Sequence, residues 1–271
     1  MVFNNGCNLV EEEVEDKTVI IGVKPCDLEG LKVLTAVFSE GKYKDEKVIK
    51  RRENIILVGT GCRSKKPGCF CDERGVDKNF SKDCDIFIEK PDGYGKNYEF
   101  YSFTDTGDYV LDKFASKGLV ADAVMDIPKS KPEDESQKAQ LIIEADENTL
   151  FNKIDWGKIA EKCMGCGTCT YICPTCHCFD FKDVLEDGKA VRYRCWDSCM
   201  YPKFTLHASG HNPRPSKKER YRQRILHKYI YVKQNFGYIA CTGCGRCIRS
   251  CPAGMNIKRV VHEIMGELKS E

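Results

Sequence analysis

Along its first 120 residues the chain alternates between two apolar rhythms. Lys17-Thr-Val-Ile-Ile-Gly-Val23 is a short, nearly continuous apolar run, the pattern of a buried strand. Asp27–Phe38 instead places apolar side chains three and four apart, the pattern of a helix that buries one face. Asn54–Gly59, Asp85–Glu89 and Asn97–Phe103 read as three further strands. Strands separated by helical stretches predict an α/β arrangement around a parallel or mixed sheet. Past residue 140 this rhythm gives way to loops. One long helix is predicted over 216–236, where Ile225, Tyr229, Val232 and Phe236 fall on one side, and a closing helix over 257–268. Between the two regions, Lys129–Lys138 has the composition of a linker. The pattern predicts a boundary near residue 140 and two domains, 1–140 and 141–271, in a chain of α+β / α/β class.

Charge adds an exclusion. The 271 residues include 43 Lys and Arg against 41 Asp and Glu, a formal +2, which describes neither a broadly basic nucleic-acid binder nor an acidic disordered chain. The first residues show no basic segment followed by an apolar one, only Val2-Phe-Asn-Asn-Gly6 and the acidic run Glu11–Asp16. No apolar run approaches the roughly 18 residues of a membrane span. A cytoplasmic protein without membrane insertion is expected. Sulfur then changes the picture, because the chain holds 18 cysteines. Intracellular thiols stay reduced, so this density points to metal or redox chemistry rather than to disulfides.

Eight of the cysteines form an internal repeat. Cys163-Met-Gly-Cys166-Gly-Thr-Cys169-Thr-Tyr-Ile-Cys173-Pro174 is C-x2-C-x2-C-x3-C-P, and the pattern returns as Cys241-Thr-Gly-Cys244-Gly-Arg-Cys247-Ile-Arg-Ser-Cys251-Pro252. Three thiolates two residues apart suit three irons of a cubane, and in such a pair the fourth cysteine serves the other cluster. Cys163, Cys166, Cys169 and Cys251 are therefore expected to hold one [4Fe–4S] cluster, and Cys241, Cys244, Cys247 and Cys173 the other. The glycines are expected to bring the loop close to inorganic sulfide, and the prolines to turn the chain away. Cysteine thiolates also bind zinc, but zinc asks for two C-x2-C pairs and not for the third cysteine or the closing C-x3-C-P. The result is a bacterial-type 2[4Fe–4S] ferredoxin-like module with a long insertion between its halves.

The other cysteines follow no standard spacing. Cys176, Cys178, Cys195 and Cys199 lie in the insertion and suit a third [4Fe–4S] cluster, a zinc ion, or simple packing beside the other clusters. Cys26 ends the first strand, and Cys62, Cys69 and Cys71 follow the second. If those strands are parallel neighbours, both loops meet at the carboxyl edge of the sheet, where α/β folds place ligands, and a fourth site becomes available. One or two further [4Fe–4S] clusters are thus candidates, with zinc or free thiols as the alternatives. Cys7 and Cys84 have no assignment. His177, between Cys176 and Cys178, is placed to tune a cluster, and His207 and His211 to make hydrogen bonds near the insertion.

Other chemistries lack their signatures. Gly59-Thr-Gly-Cys-Arg-Ser64 begins like a dinucleotide fingerprint but has Ser64 in place of the third glycine. There is no Walker A, G-x-S-x-G or HExxH sequence. The basic stretch from Arg214 to Lys233 is interleaved with Tyr221, Tyr229 and Tyr231, yet its helical apolar side argues for packing on the module, with the other side solvated or docked to a partner rather than to nucleic acid.

These strings resemble a family. Gly165–Phe179, Arg194-Cys-Trp-Asp-Ser-Cys-Met200 and Leu206–Pro215 are similar to the iron–sulfur beta subunit of soluble [NiFe] hydrogenase/sulfhydrogenase complexes, and equally to the dicluster electron-transfer subunit of anaerobic sulfite reductase. Val23-Lys-Pro-Cys-Asp-Leu28 and Cys69-Phe-Cys71 extend the likeness over most of the chain. The resemblance implies a hetero-oligomer in which this chain relays single electrons between a separate catalytic redox subunit on one side and a flavin/NAD(P)-binding subunit on the other. Family members carry some tens of residues before the Pro-Cys-Asp segment, whereas 24 precede Pro25 here, so the remaining segment is expected on another chain. Two other readings stay open: a reductase using the insertion cysteines on a disulfide or sulfur substrate, and a zinc-stabilised binding module.

Overall fold

The computed structural model describes residues 2–4, 8–10, 16–89, 98–120 and 141–269. Cys7, most of the acidic run, Asn97, the linker-like stretch 129–138 and the predicted boundary at 140 lie outside the described residues. Strands β1 (Val2–Asn4) and β2 (Asn8–Val10) precede β3 (Thr18–Val23), after which α1 (Pro25–Ser39) starts on a proline, whose fixed φ suits a first helical turn. Next come α2 (Glu46–Glu53), capped by the Asp45 carboxylate on the Val48 N–H, then β4 (Ile55–Thr60), β5 (Ile86–Glu89), β6 (Glu99–Ser102) and α3 (Asp105–Ser116).

These strands form a mixed sheet in the order β3-β4-β5-β6, with β3/β4 and β4/β5 parallel and β5/β6 antiparallel. The apolar run of β3 does not lie buried as its pattern predicts. Val19 and Ile21, on β3 at the edge of the sheet, are 53% and 73% exposed. Leu57, Val58, Ile86 and Phe87 of the sheet are buried, and Leu57 and Phe87 pack with Leu28 of α1 and Cys84.

The rest of the chain supplies α4 (Glu147–Lys153), α5 (Trp156–Ala160), α6 (Thr168–Tyr171), the hairpin β7 (Phe179–Glu186) and β8 (Lys189–Trp196), α7 (Lys217–Leu226), α8 (Val232–Phe236), α9 (Arg246–Arg249) and α10 (Ile257–Lys269). The hairpin has no counterpart among the expected elements, although Asp187-Gly188 at its turn, both with positive φ, is the pair that a two-residue turn favours. β8 also pairs with β1, so the second sheet runs β2-β1-β8-β7. Residues 217–236 form one continuous helix, interrupted by a π-helical turn at His227–Tyr231. The larger core gathers Leu141, Trp156, Met200, Ile225, Tyr229, Val261 and Ile264 and takes in Phe70 from the loop after β4. A smaller core joins Val33 of α1 to Val232 and Ala240.

Candidate metal centres

Each cysteine run folds as a loop with two left-handed glycines followed by a four-residue helix. Gly165 and Gly167 precede α6, and Gly243 and Gly245 precede α9. The two halves face each other, with α6 against α9. Cys163, Cys166 and Cys169 from the first run and Cys251 from the second line one cavity, together with Met200, Tyr221, Arg224 and Pro252, and Cys247, expected in the other set, lines it too. Cys251 Sγ also accepts the backbone N–H of Met255 at 3.3 Å.

Of the complementary four, Cys173 is tied to the start of the second run through Lys228, whose Nζ lies 3.1 Å from Cys173 Sγ and 3.0 Å from the Ala240 carbonyl. Burial raises the thiols of Cys244 and Cys247, and the charges of Cys173 and Cys241 raise both further. Cys173 is held well below an ordinary thiol, first by a hydrogen bond with Cys176 and then by the charges of Lys228 and Arg224, which outweigh its burial. In this donor set, thiols from opposite halves of the repeat converge and buried cations offset their charge, which fits an iron–sulfur cluster. Among the described residues no group of three His, Cys, Asp or Glu side chains is arranged to hold a single metal ion, and no cysteine is in a disulfide.

Three of the four insertion cysteines, Cys176, Cys178 and Cys199, line a second cavity with His177, His227, Arg224 and Lys228. Cys195 is not among its lining residues; it stands on β8 opposite Asp180. Cys178 and Cys199 share a hydrogen bond that lowers the first thiol and raises the second. The His177 ring packs edge-on against His227, with its Nδ1 3.1 Å from the Thr175 carbonyl. His207 and His211 close a turn through their backbones, the His207 N–H donating to the His211 carbonyl at 2.8 Å.

Because β3 and β4 are parallel neighbours, their following loops meet, and Lys24 Nζ donates to the Gly61 carbonyl at 3.1 Å. Cys26 is pushed up to about 12 by burial and then by the charges of Asp27, Cys244 and Cys71, and its neighbour Asp27 pairs with Arg246 of the second run. Cys69 Sγ lies 3.2 Å from the Cys244 carbonyl and 3.3 Å from an Arg249 nitrogen. Cys62 turns instead to the Ser64 carbonyl of its own loop at 3.2 Å. Cys84 is a packed thiol, pushed up to about 12 by burial beneath the sheet.

The basic stretch from Arg214 to Lys233 departs only in part from the solvated or docking side expected of it, for Lys217, Lys218 and Lys233 are exposed. Arg220, Arg224 and Lys228 point inward and are buried. The signal was their spacing of four, which puts them on one side of a helix whose apolar residues are also buried.

Residues 162–255 match the family of 4Fe-4S dicluster domains. Over 263 residues the chain is 33% identical to sulfhydrogenase 2 subunit beta of Pyrococcus furiosus, covering 94% of this chain and 76% of that protein. No solved structure matches the chain.

Proposed function

This chain belongs to the family of sulfhydrogenase beta subunits, and from that premise we propose that it relays single electrons within a hetero-oligomer. Its neighbours in this reading are a catalytic subunit of hydrogenase or sulfite-reductase type and a flavin/NAD(P)-handling subunit. The observation that carries the reading is the cavity lined by Cys163, Cys166 and Cys169 of the first run and by Cys247 and Cys251 of the second, which joins thiols from both halves of the repeat. A [4Fe–4S] cluster, when bound, supplies one-electron chemistry without an open iron for substrate, so the terminal reaction belongs to another chain.

In this reading Cys163, Cys166, Cys169 and Cys251 hold one cluster, and Cys241, Cys244, Cys247 and Cys173 the other. Met200, Tyr221 and Ile257 keep water from the first site, and Arg224 offsets thiolate charge. Cys26, Cys69 and Cys71, gathered against the second run, are the further set whose loop is best placed to extend the relay. Cys62 and Cys195 complete the two additional sets only if their loops rearrange on metal binding. A division near residue 140 and a cytoplasmic location belong to the same reading. Its support is the dense free thiols, which a reducing compartment preserves.

The test is the iron, sulfide and zinc content of the anaerobically purified native complex, with the co-purifying chains identified. About eight irons on this chain mean two clusters, and about four more appear for each further site. A colourless, zinc-loaded chain would sink the reading. The Cys178–Cys199 contact favours a second reading, in which these thiols reduce a disulfide or sulfur substrate. Undiminished reductase turnover by the complex after Cys199→Ser would remove it.

A further inference from the structure

The helix that closes over both cysteine runs turns two cations inward. Arg224 on α7 and Lys228 on the π-helical turn stand four residues apart and are only 3% and 4% exposed. Burying a cation is strongly unfavourable unless the fold supplies partners. Lys228 Nζ has three: Cys173 Sγ at 3.1 Å, Thr175 Oγ1 at 3.0 Å and the Ala240 carbonyl at 3.0 Å. Thr175 donates its own hydroxyl proton to the Ala240 carbonyl at 2.7 Å, so towards Lys228 its oxygen accepts. The geometry therefore uses three N–H donors, the full complement of an ammonium and one more than a neutral amine has.

This places a permanent positive charge on Cys173, the residue that crosses from the first run to the second set. Lys228 also ties down the start of the second run: its ammonium donates to the carbonyl of Ala240, the residue before Cys241, and the Ala240 N–H donates to the Lys228 main-chain carbonyl at 2.8 Å. Arg224 extends the positive region, lining both the first-run cavity and the insertion cavity, with one nitrogen 3.4 Å from the Cys169 carbonyl.

We propose that Lys228 is the positioning residue that sets the reduction potential of the second-run centre, its charge on Cys173 favouring the reduced state. Reduction adds one electron beside an ammonium that already carries all its protons, so no proton need enter at this position. A π-helical turn at this point aims the side chain inward, a use such turns often have at functional sites. The proposal rests on the crossed ligation described under Proposed function.

The test is an anaerobic redox titration with dithionite, followed by electron paramagnetic resonance, on the native complex carrying Lys228→Met, Lys228→Gln or Lys228→Arg. Iron and sulfide are counted in each. We expect both uncharged variants to keep wild-type iron and to show one cluster signal harder to reduce by about tenfold, about 59 mV for one electron. Lys228→Arg should stay near wild type. If Lys228→Met loses iron, Lys228→Gln, which retains N–H donors, carries the measurement. Unmoved midpoints with full iron, or iron loss in both uncharged variants, overturn the proposal. The ligation it rests on fails separately if the wild-type chain lacks about eight irons, or if Cys173→Ser leaves both ferredoxin-type signals intact.

Discussion

The two cysteine runs share a spacing and almost a conformation, yet they live in different surroundings. The first is open: Cys166 is exposed, Met164 is 68% exposed, and its glycines face the Met200–Tyr201 segment. The second lies under the loop after β4. A Cβ on Gly245 would sit 2.3 Å from the Gly68 carbonyl oxygen, and one on Gly243 would sit 2.6 Å from that of Phe70. Arg246 clamps the Asp27 carboxylate with two nitrogens, one contact at 2.7 Å, and Arg249 reaches Pro67 and Cys69. The spacing chooses the ligands, while distant parts of the chain decide how dry and how rigid each centre is. At Gly243 and Gly245 the space a side chain would need is taken by the Phe70–Cys71 and Gly68–Cys69 backbone.

The sharpest way to break this comparison is to add the same methyl group to both runs. Gly245→Ala meets backbone that cannot step aside and takes on the left-handed φ penalty as well, so it should cost about 3 kcal/mol. Gly167→Ala carries the same φ penalty but meets only the Tyr201 ring, which can swing away, and should cost about 1–2 kcal/mol. Thermal midpoints and iron content of the purified complexes read the difference. Equal losses would show that the cover over the second run carries no structural weight.

A smaller effect is expected at the clamp. Asp27→Ala leaves the half-buried Arg246 guanidinium without its carboxylate, a loss of about 2 kcal/mol for a charged pair of this kind. It should loosen the second run and leave the first unchanged. Anaerobic chelation would show this as faster loss of only part of the iron, and uniform acceleration would contradict it.

How much of this was legible in the sequence depends on how local each cause is. The paired runs were readable because a cubane fixes ligand spacing within a dozen residues. The meeting of the Cys26 and Cys69–Cys71 loops followed from parallel strands, but its target, Cys244, is brought in by α9 from the far end of the chain. The exposure of Val19 and Ile21 was not readable, since an apolar run does not state what covers it. The inward turn of Arg224 and Lys228 was signalled only by their spacing of four, which hydropathy overrides. A helix-face argument that sorts residues by hydropathy sends every cation to solvent, whereas here main-chain carbonyls, the Thr175 hydroxyl and the Cys173 sulfur hold them inside.

The smallest expected effect concerns how the insertion beside the first run is tied down. Asp45 caps α2 and pairs with Arg194 of β8, whose guanidinium also lies 5.1 Å from the Phe179 ring. Burial alone would raise the Asp45 carboxyl, but the Arg194 and Val48 hydrogen bonds outweigh it and leave it below the usual carboxylate range. A group whose folded pKa is depressed adds stability above its unfolded pKa and loses it as pH falls through the folded value. Asp45→Asn keeps a capping oxygen and removes the charge, so at neutral pH it should cost about 1 kcal/mol. That difference from wild type should shrink as pH falls from the ordinary carboxylate pKa, where the unfolded chain takes up its proton first, through the lowered folded value. A gap in thermal midpoint that persists unchanged under acid would mean the cap, and not the ion pair, anchors the hairpin.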